Sequence, residues 1–370
     1  MKAIIKIQVF ILLIAVIEGC RPDGFWEIPF KSVSVSEPVF AGTLHYSNVP
    51  EIKQRTIKSI GLVDTALLVI DEFEDPFLNF YGLSNLRYLG NYGKAGTGTG
   101  KLKTPKYDNQ YSVENGRTFF FLHDAGNFVL SKVDLKSALT DLNYVPKFRV
   151  PVPPSLILRH VSLYLTKDSM LTGNYRGTEN EDKGRAGRFF AYDLRTRKMN
   201  WVKYFPAVKQ AVSSVQKPYY YYSHCAFNDE KQVMASAMYL FKEVDFINIT
   251  SKKNTSVRFL NETGPTPYAD DYRPNGETNI FFYQSFGGKK NFYTLCLNGK
   301  NKSLFDNTST ASLYVFDWDG SLKAIVKLDQ PRLGNFVVDE VNKRMYAVNF
   351  NKLPGSTTVI SYNLSSLKIF

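Results

Sequence analysis

A short motif that recurs six times constrains the fold of this 370-residue chain more than any other feature. Each copy has two residues, at least one of them apolar, followed by Gly, Asp or Asn and then an apolar residue. The third positions of the copies are Gly82, Asp134, Asp193, Asn248, Asp317 and Asn363. Their mean separation is about 56 residues, close to the repeat length of known β-propeller blades.

The chemistry of the motif is that of a strand end. Apolar residues complete a strand, and Asp, Asn or Gly tolerates the turn conformation and can bond its own backbone. Runs rich in β-branched and aromatic residues lie before each copy, as at 66–70 and 232–237, and after several copies, as at 199–205 and 322–328. In some repeats another such run lies before the one that precedes the motif, as at 107–113. A β-sandwich also repeats strands, but it lacks this period over six copies.

The sequence therefore predicts an all-β fold, a six-bladed β-propeller of four-stranded antiparallel blades. We expect residues 30–370 to form this single domain. The last repeat is short, because only seven residues follow Asn363. An open strand edge invites aggregation, so a propeller needs its ends joined. Residues 30–46 are strand-like, with alternation at 32–35, and we expect them to supply the outer strand of the last blade and close the ring.

The N-terminus is typical of an export signal. Lys2 and Lys6 precede an apolar run at 9–17, which is too short to span a bilayer as a helix. The tetrapeptide at 17–20 resembles a bacterial lipobox, although Glu18 stands where a small residue is usual. That resemblance implies cleavage before Cys20 and lipid attachment to its thiol. The alternative is an ordinary signal peptide with a chance cysteine.

These features predict a signal peptide at 1–19, a tether at 20–29 and a location in the cell envelope. We expect the lipid on Cys20 to hold the protein at the outer membrane, facing either the periplasm or the cell surface. The formal charge of +12 could indicate a nucleic-acid partner, but export argues against one and the basic residues are scattered. Cys225 and Cys296 have apolar neighbours, which favours buried free thiols over a disulfide.

Several segments together resemble a known family. They are the signal ending in Cys20, the run at 64–71, Leu-Gly-Asn-Tyr-Gly at 89–93 with the Gly-rich stretch after it, and Thr-Pro-Lys-Tyr at 104–107. This pattern resembles the TolB-like six-bladed β-propeller lipoproteins of Bacteroidetes-type bacteria. The resemblance implies an exported, lipid-anchored propeller with no assigned reaction, and it carries no functional residues to this chain.

No catalytic motif is visible. The Gly-rich segment at 96–101 resembles a phosphate-binding loop, but Leu102 stands where that loop needs Ser or Thr. A Gly-x-Ser-x-Gly nucleophile motif is absent. The four histidines, His45, His123, His160 and His224, show neither HxH nor HExxH spacing, so the sequence predicts no metal site and no cofactor.

Two histidines nevertheless stand at places where propellers bind ligands. His160 and His224 lie where a crossover loop enters an inner strand, near the expected channel mouth. Arg159 precedes one of them, and Tyr220 and Tyr222 precede the other. Tyrosine offers stacking area with a polar handle, and Arg binds anions with two hydrogen bonds. These five residues could form a pocket for a saccharide or carboxylate, or could simply pack between blades.

Two functions follow from the sequence. The first is a monomeric, non-enzymatic binding or scaffold protein for an envelope protein or a saccharide. The alternative is a propeller enzyme, a glycan or lactone hydrolase or lyase with its site at the channel mouth. The enzyme would need at least three oxygen or imidazole ligands converging on one point there.

Overall fold

The computed structural model describes residues 25–26, 30–36, 41–52, 56–71, 75–96, 98, 100–141, 143–167, 169–176, 187–202, 204–206, 212–213, 216–248, 251, 253–259, 275–304, 306, 309–350 and 357–370. The predicted signal peptide and Cys20 lie outside these residues. No helix among the described residues has both the length and the apolar character needed to cross a bilayer.

The strands form six antiparallel blades; the first five follow chain order from the inner to the outer strand, and the sixth takes its outer strand from the N-terminal segment. Four N-terminal strands precede them: β1 (Phe25–Trp26), β2 (Phe30–Val35), β3 (Thr43–Leu44) and β4 (Tyr46–Asn48). Blade 1 contains β5 (Ile57–Val63), β6 (Ala66–Asp71), β7 (Leu78–Gly82) and β8 (Tyr88–Tyr92). Blade 2 contains β9 (Pro105–Glu114), β10 (Arg117–Asp124), β11 (Val129–Asp134) and β12 (Phe148–Pro151). Blade 3 contains β13 (His160–Leu165), β14 (Met170–Tyr175), β15 (Phe189–Asp193) and β16 (Met199–Val202).

Blade 4 contains β17 (Ser223–Asn228), β18 (Val233–Met238), β19 (Glu243–Asn248) and β20 (Asn254–Phe259). Blade 5 contains β21 (Asn279–Gly287), β22 (Asn291–Lys300), β23 (Thr310–Asp317) and β24 (Leu322–Pro331). Blade 6 contains β25 (Leu333–Asp339), β26 (Arg344–Phe350) and β27 (Thr357–Asn363), and its fourth strand is β4. The predicted all-β, six-bladed architecture is confirmed.

The repeated motif marks the same position in every blade. The third residue of each copy is the last residue of the third strand, from Gly82 in blade 1 to Asn363 in blade 6. In blade 2 the chain does not turn directly into the outer strand. Instead Asp134 caps the helix α1 (Leu135–Thr140), and its carboxylate accepts a hydrogen bond from the Ser137 N–H at 2.7 Å. A turn-forming side chain at a strand end thus also begins a helix.

Two single-turn helices lead into inner strands. Helix α2 (Pro154–Ile157) precedes β13, and helix α3 (Lys217–Tyr220) precedes β17. Each has a proline in its first turn, where the missing N–H costs nothing. A 3-10 helix (Asn301–Leu304) follows β22. Helices α2 and α3 are thus the last elements before blades 3 and 4 begin.

An N-terminal strand closes the ring, as expected. Strand β4 pairs antiparallel with β27 and forms the outer strand of blade 6. The prediction that residues 30–46 form the outer strand of blade 6 is otherwise wrong, because the strands before β4 pair with other blades. Strand β1, within the predicted tether, pairs parallel with β16 of blade 3, β2 pairs parallel with β20 of blade 4, and β3 pairs parallel with β24 of blade 5. An alternating pattern fits any blade edge, so it could not show which edge the segment covers.

Aromatic side chains fill the spaces between blades. Phe80 of blade 1 lies 5.6 Å from Phe120 of blade 2, and Phe246 of blade 4 lies 5.9 Å from Phe292 of blade 5 (ring centroids). Such pairs contribute about 0.5–1.5 kcal/mol each beyond their buried area. Cys225 and Cys296 are buried, and neither forms a disulfide among the described residues, as predicted. The high aromatic content of the chain therefore serves the packing of the ring.

Candidate functional site

A ladder of polar side chains joins the inner strands of blades 2 and 3. Lys106, Asp108 and Gln110 alternate along β9, so their side chains leave the same face of the strand. They bond backbone groups two residues apart on β13, namely the Val161 carbonyl, the Leu163 N–H (3.0 Å) and the Leu165 N–H (2.8 Å). The start of β13 is therefore fixed against blade 2.

Two histidines meet beside this ladder. His123 lies near the end of β10, and His160 is the first residue of β13. The His123 Nδ1 and His160 Nε2 atoms are 3.2 Å apart, and the ring centroids are 4.7 Å apart. His123 is 1% exposed, whereas His160 is half-buried.

The outer nitrogen of each ring faces an oxygen. His123 Nε2 lies 2.7 Å from Asp108 Oδ2, and His160 Nδ1 lies 3.1 Å from the Leu156 carbonyl oxygen. Lys106 Nζ lies 3.0 Å from Asp108 Oδ1. Burial alone would raise the pKa of Asp108, but Lys106 and His123 outweigh it and hold that pKa well below its usual range. Asp108 is therefore an ionised acceptor.

His160 and His224 resist protonation. Burial, followed by the repulsion of His123 and Lys106, lowers the pKa of His160 to about 3. Burial, followed by Lys106, lowers the pKa of His224 to about 3. Both imidazoles are therefore neutral near pH 7.

A pocket opens between blade 3 and the crossover into blade 4. Its empty volume, which is open to solvent, is about 440 Å³. Among the described residues that line it, Arg176, Arg188 and Lys217 are cationic and none is acidic. Its aromatic lining residues are Tyr175, Phe205, Tyr221 and Tyr222. The pocket is thus positively charged and aromatic.

Arg176 is positioned by two tyrosines. Its guanidinium carbon lies 5.1 Å from the Tyr219 ring centroid and 5.3 Å from that of Tyr222. Its backbone N–H donates to the Arg159 carbonyl at 2.7 Å. Cation–π contacts of this kind hold a guanidinium in place and leave its N–H groups able to bind an anion.

Arg188 belongs to a buried network as well as to the pocket. Its Nη1 lies 2.5 Å from Asp245 Oδ2, and its Nη2 donates to Ser236 Oγ at 3.0 Å. Ser256 Oγ lies 2.7 Å from the Asp245 carboxylate and 2.6 Å from that of Glu243. Arg188 is thus engaged by Asp245 and Ser236, and the pocket cation best placed to meet an external anion is Arg176.

The structure separates the five predicted ligand-binding residues. Tyr222 lines the pocket, and His224 packs against it with ring centroids 5.0 Å apart. His160 faces His123 instead, and exposed Arg159 meets the pocket through its carbonyl. Tyr220 is buried against Tyr221 and Phe241 and does not line the pocket. Ligand binding by these residues stays a prediction.

The sequence reasoning missed the residues that complete both sites. Motif spacing predicted no histidine metal site, but the fold brings potential ligand atoms of Asp108, His123 and His160 within 4.8 Å of one another. These groups do not point at a single position, because His123 Nε2 faces Asp108 and His123 Nδ1 faces His160. Only the positions of the two histidines could have indicated their proximity, because residues 123 and 160 both flank loops at the same end of the propeller.

The comparisons with known proteins identify the fold. No family model and no curated protein matches the chain. A solved structure of a DUF4221-family member from Bacteroides vulgatus is similar, with 11% identity, a TM-score of 0.57 and coverage of 89% of this chain and 96% of that one. A protein from Bacteroides fragilis named as exported has 10% identity, a TM-score of 0.55 and coverage of 90% and 99%. At these identities the likeness shows a shared propeller fold alone.

Proposed function

We propose that this protein is an exported, non-enzymatic β-propeller that binds an acidic saccharide of the cell envelope in the pocket beside α3. The observation that carries the proposal is the lining itself, which among the described residues is cationic and aromatic with no acidic group. Aromatic rings stack on sugar rings, and Arg binds a carboxylate with two parallel hydrogen bonds. A uronic-acid unit offers both chemistries at once.

Preorganisation supports the same ligand class. Arg176 is exposed, but its position between Tyr219 and Tyr222 limits the freedom that it would lose on binding. Lys217 Nζ lies 5.2 Å from the Phe205 ring centroid, at another wall of the pocket. Two cations set against aromatic walls favour a ring that carries a carboxylate over a small inorganic ion.

The export signal and the fold support a location in the cell envelope. The shared fold of a Bacteroides protein named as exported is consistent with this location, as is the proposed membership of the TolB-like lipoproteins. If Cys20 carries a lipid, four residues lie between it and β1 on the edge of blade 3, a span of five residue steps. Five extended steps reach about 18 Å at most, so this anchor would hold blade 3 near the outer membrane.

The experiment compares ligands that differ only in charge. An oligogalacturonate and a neutral galacto-oligosaccharide of equal length are titrated into the protein by calorimetry. We expect the acidic sugar to bind and Arg176→Ala to weaken it by about 10- to 100-fold, the loss of one charged contact. Arg87→Ala is the matched control, because Arg87 is exposed in the turn after β7 at the opposite end of the propeller.

Two results would refute the proposal. One is equal binding of the acidic and neutral sugars, and the other is unchanged binding in the Arg176 variant. Chromatography of the same mixtures after prolonged incubation tests the enzyme alternative. That alternative draws on the proximity of Asp108, His123 and His160, whose potential ligand atoms lie within 4.8 Å of one another, and shortened oligosaccharides would favour it.

A further inference from the structure

The crossover end of blades 2 and 3 carries exposed cationic side chains that lead away from the pocket. From the pocket outward they are Arg176, Arg159, Lys106, Lys103 and Lys101. We call these five residues the cationic track. They belong to three separate segments of the chain, so the sequence shows them only as scattered basic residues.

Contacts between the segments make the track one continuous surface. The crossover that ends at Arg159 begins where the Val152 N–H donates to the Phe128 carbonyl at 2.9 Å. Phe128 belongs to the hairpin between β10 and β11. Gly126 of the same hairpin packs against Lys103, because a Cβ at this glycine would lie 2.5 Å from the Lys103 Cβ. The hairpin of blade 2 therefore bridges the lysines and the crossover that borders the pocket.

The surface of the track is positively charged. No carboxylate occurs in the described segments that form it, which are 100–107, 125–128, 152–161 and 174–176. The two carboxylates that adjoin these segments are directed into the protein. Asp124 is 1% exposed and accepts from the Lys103 and Thr104 N–H groups at 3.0 and 2.8 Å. Asp108 is almost fully buried and pairs with Lys106, so neither carboxylate opposes the exposed cations at the surface.

The Asp124 side chain also fixes the shape of this surface. Its oxygens accept from the Gly126 N–H at 3.1 Å and from the Asn127 side-chain amide at 2.7 Å, so one carboxylate joins the entry of β9 to the hairpin. Phe128 in this hairpin is 38% exposed, although its side chain is large and apolar. An exposed aromatic ring beside cations offers the same two chemistries as the pocket, namely stacking area and positive charge.

We propose that the cationic track extends the pocket into a binding surface for several consecutive units of an acidic polysaccharide. This inference rests on the proposed function of the pocket, and it specifies the ligand as a polymer rather than a single uronic acid. A polyuronate carries one carboxylate on every sugar ring, so successive units meet successive cations of the track. Each exposed charge contact contributes little alone, but contacts linked within one chain add to the affinity because they form at a high effective concentration.

The test measures affinity by calorimetry for oligogalacturonates of two, four, six and eight units. We expect affinity to rise with length and to level off once the track is covered. Lys101→Ala/Lys103→Ala should weaken the eight-unit chain by about 3- to 30-fold, the loss of two exposed charge contacts. It should leave the two-unit chain, which fills only the pocket, unchanged. This comparison is needed because a longer chain also offers more registers to the pocket alone.

A matched control carries the same change of charge elsewhere. Lys198→Ala/Lys253→Ala removes two lysines that are exposed in turns at the opposite end of the propeller. This variant should bind every chain length as the unaltered protein does. Circular dichroism establishes that each variant is folded.

Failure of the track and failure of the pocket give different results. Arg176→Ala should weaken every chain length, whereas the variant at Lys101 and Lys103 should weaken only the long chains. If that lysine variant binds the eight-unit chain as the unaltered protein does, the track is refuted while the pocket stands. If no acidic chain binds at all, both proposals are refuted.

Two other polyanions test the class of ligand. Polyglutamate of eight residues that binds as tightly as the eight-unit sugar would show attraction for charge alone. Vesicles of phosphatidylglycerol and phosphatidylcholine that bind through Lys101 and Lys103, without any dependence of sugar binding on chain length, would assign the surface to a membrane. Either result overturns the proposal.

Discussion

Asp108 is the residue whose replacement tests the ladder and the histidine pair together. Its carboxylate is almost fully buried and accepts from the Leu163 N–H while facing His123 Nε2. Asp108→Ala removes Oδ2, the acceptor of both hydrogen bonds, and leaves two buried donors without partners. Each unsatisfied buried donor costs about 1–3 kcal/mol, so we expect the free energy of unfolding to fall by about 2–6 kcal/mol.

Asp108→Asn should be much milder. The Leu163 N–H needs an acceptor, so the amide oxygen of Asn should take the place of Oδ2 and keep both contacts. The two hydrogen bonds then have a neutral acceptor in place of a charged one, and we expect the free energy of unfolding to fall by about 1–2 kcal/mol in total. Lys106 adds little, because its side chain is 45% exposed and water replaces the ion pair.

The pH dependence distinguishes this explanation from general damage to the fold. The pKa of Asp108 is lower in the folded protein than its usual value. Its contribution to stability is therefore fully present above the unfolded pKa of about 3.9, and it is lost as pH falls through the lower folded pKa. The stability gap between the unaltered protein and Asp108→Asn should narrow below about pH 4.

Urea unfolding measures these changes without screening the charges. The midpoint should shift in the order unaltered, Asn, Ala, with an unchanged dependence on urea concentration. Equal losses for Asn and Ala would refute the proposed role of the oxygen. A gap that stays constant on acidification would show that ionisation of Asp108 does not stabilise the ladder.

Three further predictions follow from buried groups. Gly173→Ala would place a methyl group against the Ser162 carbonyl oxygen, so we expect a loss of about 3 kcal/mol or more in thermal unfolding; a neutral outcome would contradict the tight packing of β13 on β14. Arg188→Met leaves the Asp245 carboxylate buried without its cation, at a cost of about 3–5 kcal/mol, and a stability close to that of the unaltered protein in urea would refute this. Burial raises the pKa of Cys225 to about 11, so a thiol reagent at pH 8 should modify it only after unfolding; rapid modification of the native protein would show that the interior of blade 4 is accessible.

The blades could be predicted from the sequence because their signals are local. A turn residue ends the third strand in every blade, and its chemistry depends only on its immediate neighbours. The path of the N-terminal segment could not be predicted in the same way. Strand β2 alternates as an edge strand does, but the outer edges of several blades present the same backbone groups.

The candidate sites were only partly predictable because they depend on contacts between blades. The run at 219–222 showed that aromatic groups accumulate at this crossover. A single helical turn points its side chains in different directions, so Tyr219 and Tyr222 reach Arg176 while Tyr220 enters the core. His123 and His160 are 37 residues apart and belong to different blades. Their meeting depends on the relative placement of β10 and β13, which no local pattern contains.

Arg159 and the first residues of β13 connect the two candidate sites. The Arg159 carbonyl holds the Arg176 backbone at the pocket, and His160 faces His123. Val161 lines the pocket while its carbonyl accepts from Lys106. Successive side chains of a strand point to opposite faces, so one short segment can serve a cationic pocket on one side and a histidine pair on the other. Because the ladder from β9 fixes this segment, a ligand can bind in the pocket without displacing the imidazole of His160.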